Sequence, residues 1–284
     1  MLTLGMAFYQ LKNELSGLYD DREAAAISHE VLEHVSGLTR ANRLTEKDRV
    51  FTDKEAADFA RMTAELKKGK PLQYVVGVAW FLGRPYEVNE HVLIPRPETE
   101  ELVAWAIADH RGKEPLNILD IGTGTGCIPI ALKLALPAAD VTSCDISTKA
   151  LEVARSNAAT YAAEVRLLEM DILNEQRWAE LQTYDVIISN PPYIPLARKK
   201  EMHVNVVNFE PAGALFVPNN DPLVFYRAIA HLGHTHLAAG GTIYCETEEL
   251  QGQHCRELFL AESYSQVEIK KDMHGNWRML KAQR

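Results

Sequence analysis

The stretch "ILDIGTGTGCIPIAL", residues 118–132, decides the fold. An apolar run leads into Gly122, Gly124 and Gly126, and a helical pattern starts at once. Glycines there let the backbone approach a ligand and present amide donors at a helix N-terminus. The spacing is G-x-G-x-G, not the dinucleotide G-x-G-x-x-G. A nucleotide cofactor of the nicotinamide type and a bare strand-to-helix turn are the two competing readings. Pro129 falls early in the helix, where the first turn tolerates a missing donor.

Working outward, strand and helix patterns alternate from Glu98 to the C-terminus. Strands are expected in "LNILDIG", "DVTSCD", "EVRLLEMD", "YDVIISN", "GTIYCE", "SQVEIKKD" and "WRMLKAQ". Helices are expected in "ETEELVAWAIADH", "CIPIALKLAL", "STKALEVARSNAATYA" and "PLVFYRAIAHL". Such alternation predicts an α/β fold, a doubly wound sheet with right-handed crossovers. Only "MHGN" separates the last two strands, too short for a parallel crossover, so that pair is predicted antiparallel.

In an open α/β sheet, ligands sit beyond the carboxyl ends of the strands. Asp145 closes the strand after the glycines, at the distance where a carboxylate can hold a ribose diol. Asp171 closes the next strand and Asn190 the one after. Each alone could be a helix cap or a turn residue; four special positions on one sheet edge make a site. A ribose-binding edge without nicotinamide-type glycines suits an adenosyl ligand such as S-adenosylmethionine. "SNPPYI", residues 189–194, then gains a chemical meaning. An amide or exocyclic amine nitrogen is a weak nucleophile with two hydrogens. The Asn190 oxygen can accept one and the Pro191 carbonyl the other. That grip stabilises the positive charge developing on nitrogen. The prolines fix the turn, and Tyr193 can pack on the planar acceptor group.

The N-terminal seventy residues carry helical patterns and no strand pattern. "DREAAAISHEVLEHVSGL" has an apolar stripe. "TDKEAADFARMTAELKKGK" opens with Thr52 and Glu55, a capping-box pattern, and stops at Gly69. "PLQYVVGVAWFLGRPYEVNEHVLIPRPET" is rich in β-branched and aromatic residues, with Gly77 and Gly83, and predicts a hairpin linker. The expected organisation is a helical domain 1–72, a β-hairpin linker 73–97 and a catalytic domain 98–284. The net charge of -9 counts against a duplex nucleic-acid partner. No apolar run reaches the roughly 18 residues of a membrane helix, and no signal-peptide pattern opens the chain. Cys127, Cys144, Cys245 and Cys255 form no C-x-x-C pair. A cytoplasmic protein with no disulfide and no metal site is expected.

"SNPPYI" after "DIGTGTG" resembles the class I S-adenosylmethionine-dependent amino-methyltransferases. "KPLQYVVGVAWFLGRPYEVNEHVLIPRPETEELV", "NFEPAGALF", "YRAI" and "KKDMHGNWR" narrow the resemblance to the release-factor (protein glutamine-N5) methyltransferases of the HemK/PrmC type. The resemblance implies a Rossmann-like, seven-stranded, mostly parallel sheet with a small N-terminal helical bundle and a short hairpin linker. It implies methyl transfer from S-adenosylmethionine, leaving S-adenosylhomocysteine, to the glutamine of the Gly-Gly-Gln loop in class 1 peptide chain release factors. Carried over, Gly122, Thr123, Gly124, Thr125 and Gly126 would line the methionine part, Asp145 the ribose, and Asp171 and Ile172 the adenine. Asn190 would touch both cofactor and substrate; Asn190, Pro191 and Tyr193 would be catalytic. Pro192, Arg96 and Glu98 would complete substrate binding. "FVPNNDPLVFYR" lacks the usual "GGxDGL". "YCETEELQGQ" replaces "EIGxxQ", keeping Glu246 and Gln251.

The rival functions are a nucleic-acid amino-methyltransferase, acting on adenine-N6 of DNA or guanine-N2 of ribosomal RNA, and a non-catalytic module that binds translation factors. Neither a basic face nor decay of the glycine turn, Asp145 and "NPPY" supports them. The expectation is a monomer acting on protein, with no stable nucleic-acid or membrane partner. His231, His234 and His236 read as a solvated helix end, and Trp80 and Phe81 as linker packing. "RKKEMH" (198–203) reads as a solvated loop in which Arg198, Lys199 and Lys200 could touch substrate. Arg96, Glu98 and Glu100 either brace the linker or close the site.

Overall fold

In the computed structural model, residues 1–113 and 115–284 are described. They divide into two compact units: Met1–Val78 with His203–Phe209, and Ala79–Met202 with Glu210–Arg284.

The first unit is helical. Its helices are α1 (Leu4–Leu15), α2 (Asp21–Ser36), α3 (Arg40–Thr45), α4 (Asp53–Lys67) and α5 (Leu72–Val76), joined by α9 (Val204–Phe209) from later in the chain. Residues three and four apart on α1, α2 and α4 share one face, so Leu4, Leu11, Val31, Leu32, Phe59 and Met62 fill a common core. The predicted capping box on α4 forms: the Glu55 amide donates to Thr52 Oγ1 at 3.2 Å, and the Thr52 amide to Glu55 Oε2 at 2.8 Å. Asn205 of α9 donates to the Tyr19 hydroxyl at 3.0 Å. Thr3 caps α1 by accepting from the Met6 amide.

The chain passes into the second unit within the first strand of the hairpin β1 (Val78–Phe81) and β2 (Arg84–Glu87). Its two-residue turn holds both Leu82 (φ 47°) and Gly83 (φ 73°) at positive φ. That geometry matches the twist of the flanking strands but strains a leucine. The Leu82 amide donates to Glu100 Oε1 at 2.8 Å, so Glu100 braces the hairpin.

Then come α6 (Pro97–His110), β3 (Asn117–Ile121), α7 (Cys127–Ala135), β4 (Asp140–Asp145), α8 (Thr148–Thr160), β5 (Val165–Glu169) and β6 (Tyr184–Ser189). A short ladder, β7 (Ile194–Pro195) with β8 (Phe216–Val217), encloses α10 (Ala212–Leu215). The chain closes with α11 (Val224–His236), β9 (Leu237–Glu246), α12 (Gly252–Ala261), β10 (Ser265–Lys271) and β11 (Trp277–Gln283).

All seven predicted strands enter one sheet, ordered β10-β11-β9-β6-β3-β4-β5. β9, β6, β3, β4 and β5 run parallel, while β11 pairs antiparallel with both β9 and β10. Successive side chains point to opposite faces, which sorts the strands between two cores. Ile118, Val186 and Ile188 meet α6 and α7 on one face. Leu119, Ile121 and Ile187 meet α11 and α12 on the other. α12 was missed in the sequence, although Cys255, Leu258 and Phe259 have helical spacing. Pro129 is the third residue of α7, where its absent donor has no helical partner to lose.

Gly233 of α11 shows how tightly one layer packs. A Cβ there would lie 2.0 Å from the Tyr264 hydroxyl and 2.9 Å from Ile243 Cδ1. That hydroxyl donates to the Ala230 carbonyl at 2.7 Å. Gly233→Ala ought to be stabilising in a helix by roughly 0.5–1 kcal/mol. Overpacking of this kind costs about 1–3 kcal/mol and reverses the sign. The expected outcome is a lower urea midpoint with an unchanged slope; a raised midpoint would show that α11 moves off the sheet freely.

Candidate active site

The chain leaves β3 for β4 on one side and returns through β6 on the other, so the strand order switches at β3. In α/β sheets the crevice beyond such a switch is the ligand site. Ile121 pairs with Ser189, so the next residues, Gly122 and Asn190, are neighbours. A Cβ on Gly122 would lie 3.8 Å from the Asn190 carbonyl oxygen. Gly122 has φ 85° and Gly124 φ 52°, a region that L side chains avoid. The Gly122 and Thr123 amides both donate to the Cys144 carbonyl, at 2.8 and 3.1 Å, fixing the turn to the end of β4.

A cavity of about 490 Å³ opens over these strand ends. Small-molecule sites run from roughly 300 to 1,000 Å³. Of the residues expected at the site, Gly122, Gly124, Asp145, Asp171, Ile172 and Asn190 line it, and Pro191 and Pro192 do so too. Thr123, Thr125 and Gly126 are instead built into the turn. The Thr123 and Ser143 hydroxyls bond each other. Thr125 Oγ1 accepts from the Cys127 amide and its carbonyl accepts from Asn157. A Cβ on Gly126 would come within 3.2 Å of Ala154 Cβ, so that glycine permits α7 to pack against α8. Asp120, fully buried beneath the turn, accepts from Ser143 and is pushed up to about 7 by burial.

Asp145 is half-buried. Its Oδ2 accepts from the Gly124 amide and its Oδ1 from the Ser147 amide, each at 2.9 Å. Two carboxylate oxygens offer about four lone-pair sites, so acceptor capacity remains for a diol. Burial raises its pKa, and the backbone donors oppose that shift. An adenosyl ligand fits this donor set: open glycine backbone on the floor, a carboxylate with spare lone pairs, and apolar Ile172 and Leu173 on the wall.

Asn190 is oriented by groups outside the expected set. Its Nδ2 donates to Thr99 Oγ1 at 3.0 Å, and Thr99 Oγ1 donates to Glu246 Oε2 at 2.5 Å. Tyr193 donates its hydroxyl to Glu246 Oε1 at 3.1 Å. The Tyr226 hydroxyl donates to the Glu246 carbonyl at 2.9 Å, pinning the end of β9. Glu246 is 1% exposed. Burial raises its pKa against the two hydroxyl donors and Arg278, while the charge of Glu98 adds to the rise. Tyr193 therefore reaches a carboxylate with its hydroxyl, and burial and that charge raise its own pKa.

Arg96 forms an ion pair with Glu210 at 2.5 Å, and Glu210 Oε2 also accepts from the Ile94 amide at 3.2 Å. Glu210 thereby ties the segment that includes His91 and Val92 to the one that includes Pro211 and Ala214; all four line the cavity. Glu98 lies half-buried in the first turn of α6. Arg198 is committed to Glu201 and Glu248, at 3.0 and 2.6 Å. His231 and His234 both contact Glu262, at 3.2 and 3.1 Å. Thr99 and Glu210 were missed, although both lie in quoted stretches, "IPRPETE" and "NFEPAGALF".

The sheet order and the glycine turn define a class I, Rossmann-like methyltransferase. Residues 103–216 match the family described as Methyltransferase small domain, and residues 7–77 the PrmC N-terminal domain. A release factor glutamine methyltransferase of Flavobacterium psychrophilum is 38% identical over 275 residues, covering 96% of each chain. One of Bacteroides thetaiotaomicron is 37% identical over 274 residues, covering 96% of this chain and 98% of that one. The crystal structure of a methyltransferase from Pyrococcus furiosus shares the fold, with a TM-score of 0.51 at 18% identity over 82% of this chain and 98% of that one. The chain belongs to the release factor glutamine methyltransferase family.

Proposed function

We propose that the chain methylates the side-chain amide nitrogen of the glutamine in the Gly-Gly-Gln loop of class 1 peptide chain release factors. The observation that carries this reading is the Asn190 amide beside the glycine turn, with its nitrogen already engaged by Thr99. Its oxygen is then the part of the side chain available to an acceptor -NH₂. S-adenosylmethionine, when bound, supplies a methyl group activated on a sulfonium. The cavity floor at Gly122 and Gly124 would hold its methionine part, Asp145 the ribose hydroxyls, and Asp171 with Ile172 the adenine. Asn190 Oδ1 and the Pro191 carbonyl would accept the two amide hydrogens of the substrate glutamine. Tyr193, with Pro192, would flank the planar amide. That grip localises the nitrogen lone pair and stabilises the charge that nitrogen gains. No strong base is needed, because the proton leaves only after nitrogen has become cationic. Arg96 and Glu98 complete the acceptor side, Arg96 through its pairing with Glu210.

The same reading makes the chain an enzyme of the cytoplasm, acting as a monomer on protein and not on nucleic acid. The net charge of -9 supports a protein over a nucleic-acid substrate, and the four buried free cysteines support the cytoplasm. Among the described residues no helix is long and apolar enough to cross a membrane. The helical unit would dock the release factor; its own separate core supports a role independent of the cofactor.

Asn190→Ala is expected to lower kcat about a hundred- to a thousandfold, the effect of losing a roughly 3–4 kcal/mol preorganised contact. Methyl transfer to intact release factor, followed with tritiated donor, checks this; near-normal turnover would remove Asn190 from the chemistry.

Asp145→Ala should weaken S-adenosylmethionine binding by about 1.5–3 kcal/mol, the range for a charged hydrogen bond. Calorimetry reads it directly, and unchanged affinity would leave Asp145 as a brace for the Gly124 and Ser147 amides.

A chain starting near Lys70 should retain cofactor binding and lose most of its kcat/KM on intact release factor, because remote binding energy positions the glutamine. Equal kcat/KM for the truncated and full chains would reduce the helical unit to a stability element.

A further inference from the structure

We propose that Thr99 and Glu246 are positioning residues for methyl transfer, holding the Asn190 amide in the one orientation that turns its oxygen to the acceptor nitrogen. The proposal rests on the role given to Asn190 above and extends it to two side chains that touch neither substrate nor cofactor.

The direction of each hydrogen bond follows from chemistry. Ionised Glu246, the form its two hydroxyl donors and nearby Arg278 favour, can only accept, so at 2.5 Å from Oε2 the Thr99 hydroxyl spends its hydrogen on that oxygen. Its lone pairs are then the only capacity left facing Asn190. They accept from an -NH₂ and repel a carbonyl oxygen, so the 3.0 Å contact selects Nδ2. A flipped amide would place two oxygens together at Thr99. It would also turn an -NH₂ towards the substrate -NH₂, a donor against a donor. The oxygen-outward orientation is therefore set by a charge two hydrogen bonds away.

The relay also affects strength. Glu246 polarises the Thr99 hydroxyl, the polarised hydroxyl draws density through the Asn190 N–H, and the amide oxygen becomes a better acceptor. Chains of hydrogen bonds in a low-dielectric interior strengthen one another in this way. Burial protects the relay from water, since Thr99 is 3% and Glu246 1% exposed. Glu246 also receives the Tyr193 hydroxyl, so one carboxylate sets two of the groups expected around the glutamine.

Its position in the fold suits that task. Glu246 ends β9, Thr99 lies in the first turn of α6, and Asn190 follows β6, whose Ser189 pairs with Cys245 of β9. Three separate elements converge on one point, so a shift of any of them is felt at the amide.

The test uses the full-length enzyme, an intact release factor and S-adenosylmethionine. Thr99→Val removes the hydroxyl at nearly constant volume and should lower kcat about ten- to a hundredfold, as for a hydrogen bond coupled to charge. Cofactor affinity by calorimetry should stay within about twofold, because the loss lies in the transition state and not in ground-state binding. Thr99→Ser should recover most of the rate. In an Asn190→Ala background Thr99→Val should cost nothing further, since residues acting through one another are non-additive. Should Thr99→Val fail to fold, Glu246→Gln, which keeps the shape and removes the charge, is expected to lower kcat at least as far and to cost clearly less in the Asn190→Ala background, where only its contact with Tyr193 remains to be lost; an undiminished cost there would overturn the proposal. Full activity of Thr99→Val beside a slow Asn190→Ala would overturn the proposal and leave the role of Asn190 standing. Full activity of Asn190→Ala would remove that role itself. Equal losses from Thr99→Val with and without Asn190 would mean that Thr99 merely supports the fold.

Discussion

Parallel pairing of β3 with β6, with Ile121 opposite Ser189, is the constraint from which the rest of the site follows. Neighbouring strands lie roughly 4.8 Å apart, so the residues just past their carboxyl ends cannot avoid each other. One is Gly122, at φ 85° with no side chain to intrude. The other is Asn190, a planar amide ahead of two prolines that permit no further ladder. Had β6 returned on the far side of β5, the same two motifs would have stood three strands apart. The crossover that sends the chain from β5 back across β3 is therefore as much a part of the site as any side chain. Its parallel hand requires an intervening element, and the turn of Trp178, buried against the core, supplies part of it.

Charge burial is the second theme. Asp120, Asp145, Glu210 and Glu246 sit at or beneath the sheet edge, and each is managed differently. Asp120 is pushed up to about 7, with Ser143 as its partner. Asp145 takes two backbone amides, a weaker desolvation because it borders the cavity. Glu210 takes a guanidinium and an amide. Glu246 takes two hydroxyls, with Arg278 nearby and itself tied to Asp272 at 3.2 Å. Glu210 is neutralised directly by a guanidinium, whereas Glu246 has only hydroxyl donors in hydrogen-bond contact. That difference separates Glu210, which joins two loops, from Glu246, which orients an amide.

The sequence was most legible where local chemistry and topology agree. The strands were readable because β-branched runs end in polar or glycine residues, and the antiparallel pairing of β10 with β11 because "MHGN" is too short to cross a sheet. Asn190 could be found because a strand stopped on an amide before two prolines. The α4 cap was readable because Thr52 and Glu55 are three residues apart. What escaped was tertiary. Thr99 and Glu246 are 147 residues apart in the chain, and no spacing rule links a threonine inside "IPRPETE" to a glutamate at a strand end. Thr125 and Gly126 sit in the glycine motif, yet their side chains and backbone serve the packing of α7 on α8. Motif membership alone does not separate the residues that face a ligand from those that shape the turn beneath it. α12 was overlooked although its stripe is present, since a strand reading of the flanking segments left that stretch as connection.

In the proposed function the acceptor grip is a neutral amide and not a stronger base, and the reason is electrostatic. The substrate nitrogen gains positive charge only as the new bond forms, so a useful contact must strengthen along the reaction coordinate. A carboxylate placed at Asn190 would bind the neutral glutamine amide tightly from the start and would repel other acceptors by its own hydration. A neutral amide, polarised from behind by Thr99 and Glu246, begins as an ordinary acceptor and gains as the nitrogen becomes cationic. The full negative charge is kept two hydrogen bonds away, at the buried end of β9, where water cannot reach it and where Tyr193 and Thr99 share it. In that arrangement the electrostatic source and the contacting atom are separate residues on separate elements. The contact can stay neutral while the field behind it stays fixed by the packing of α6 against the sheet.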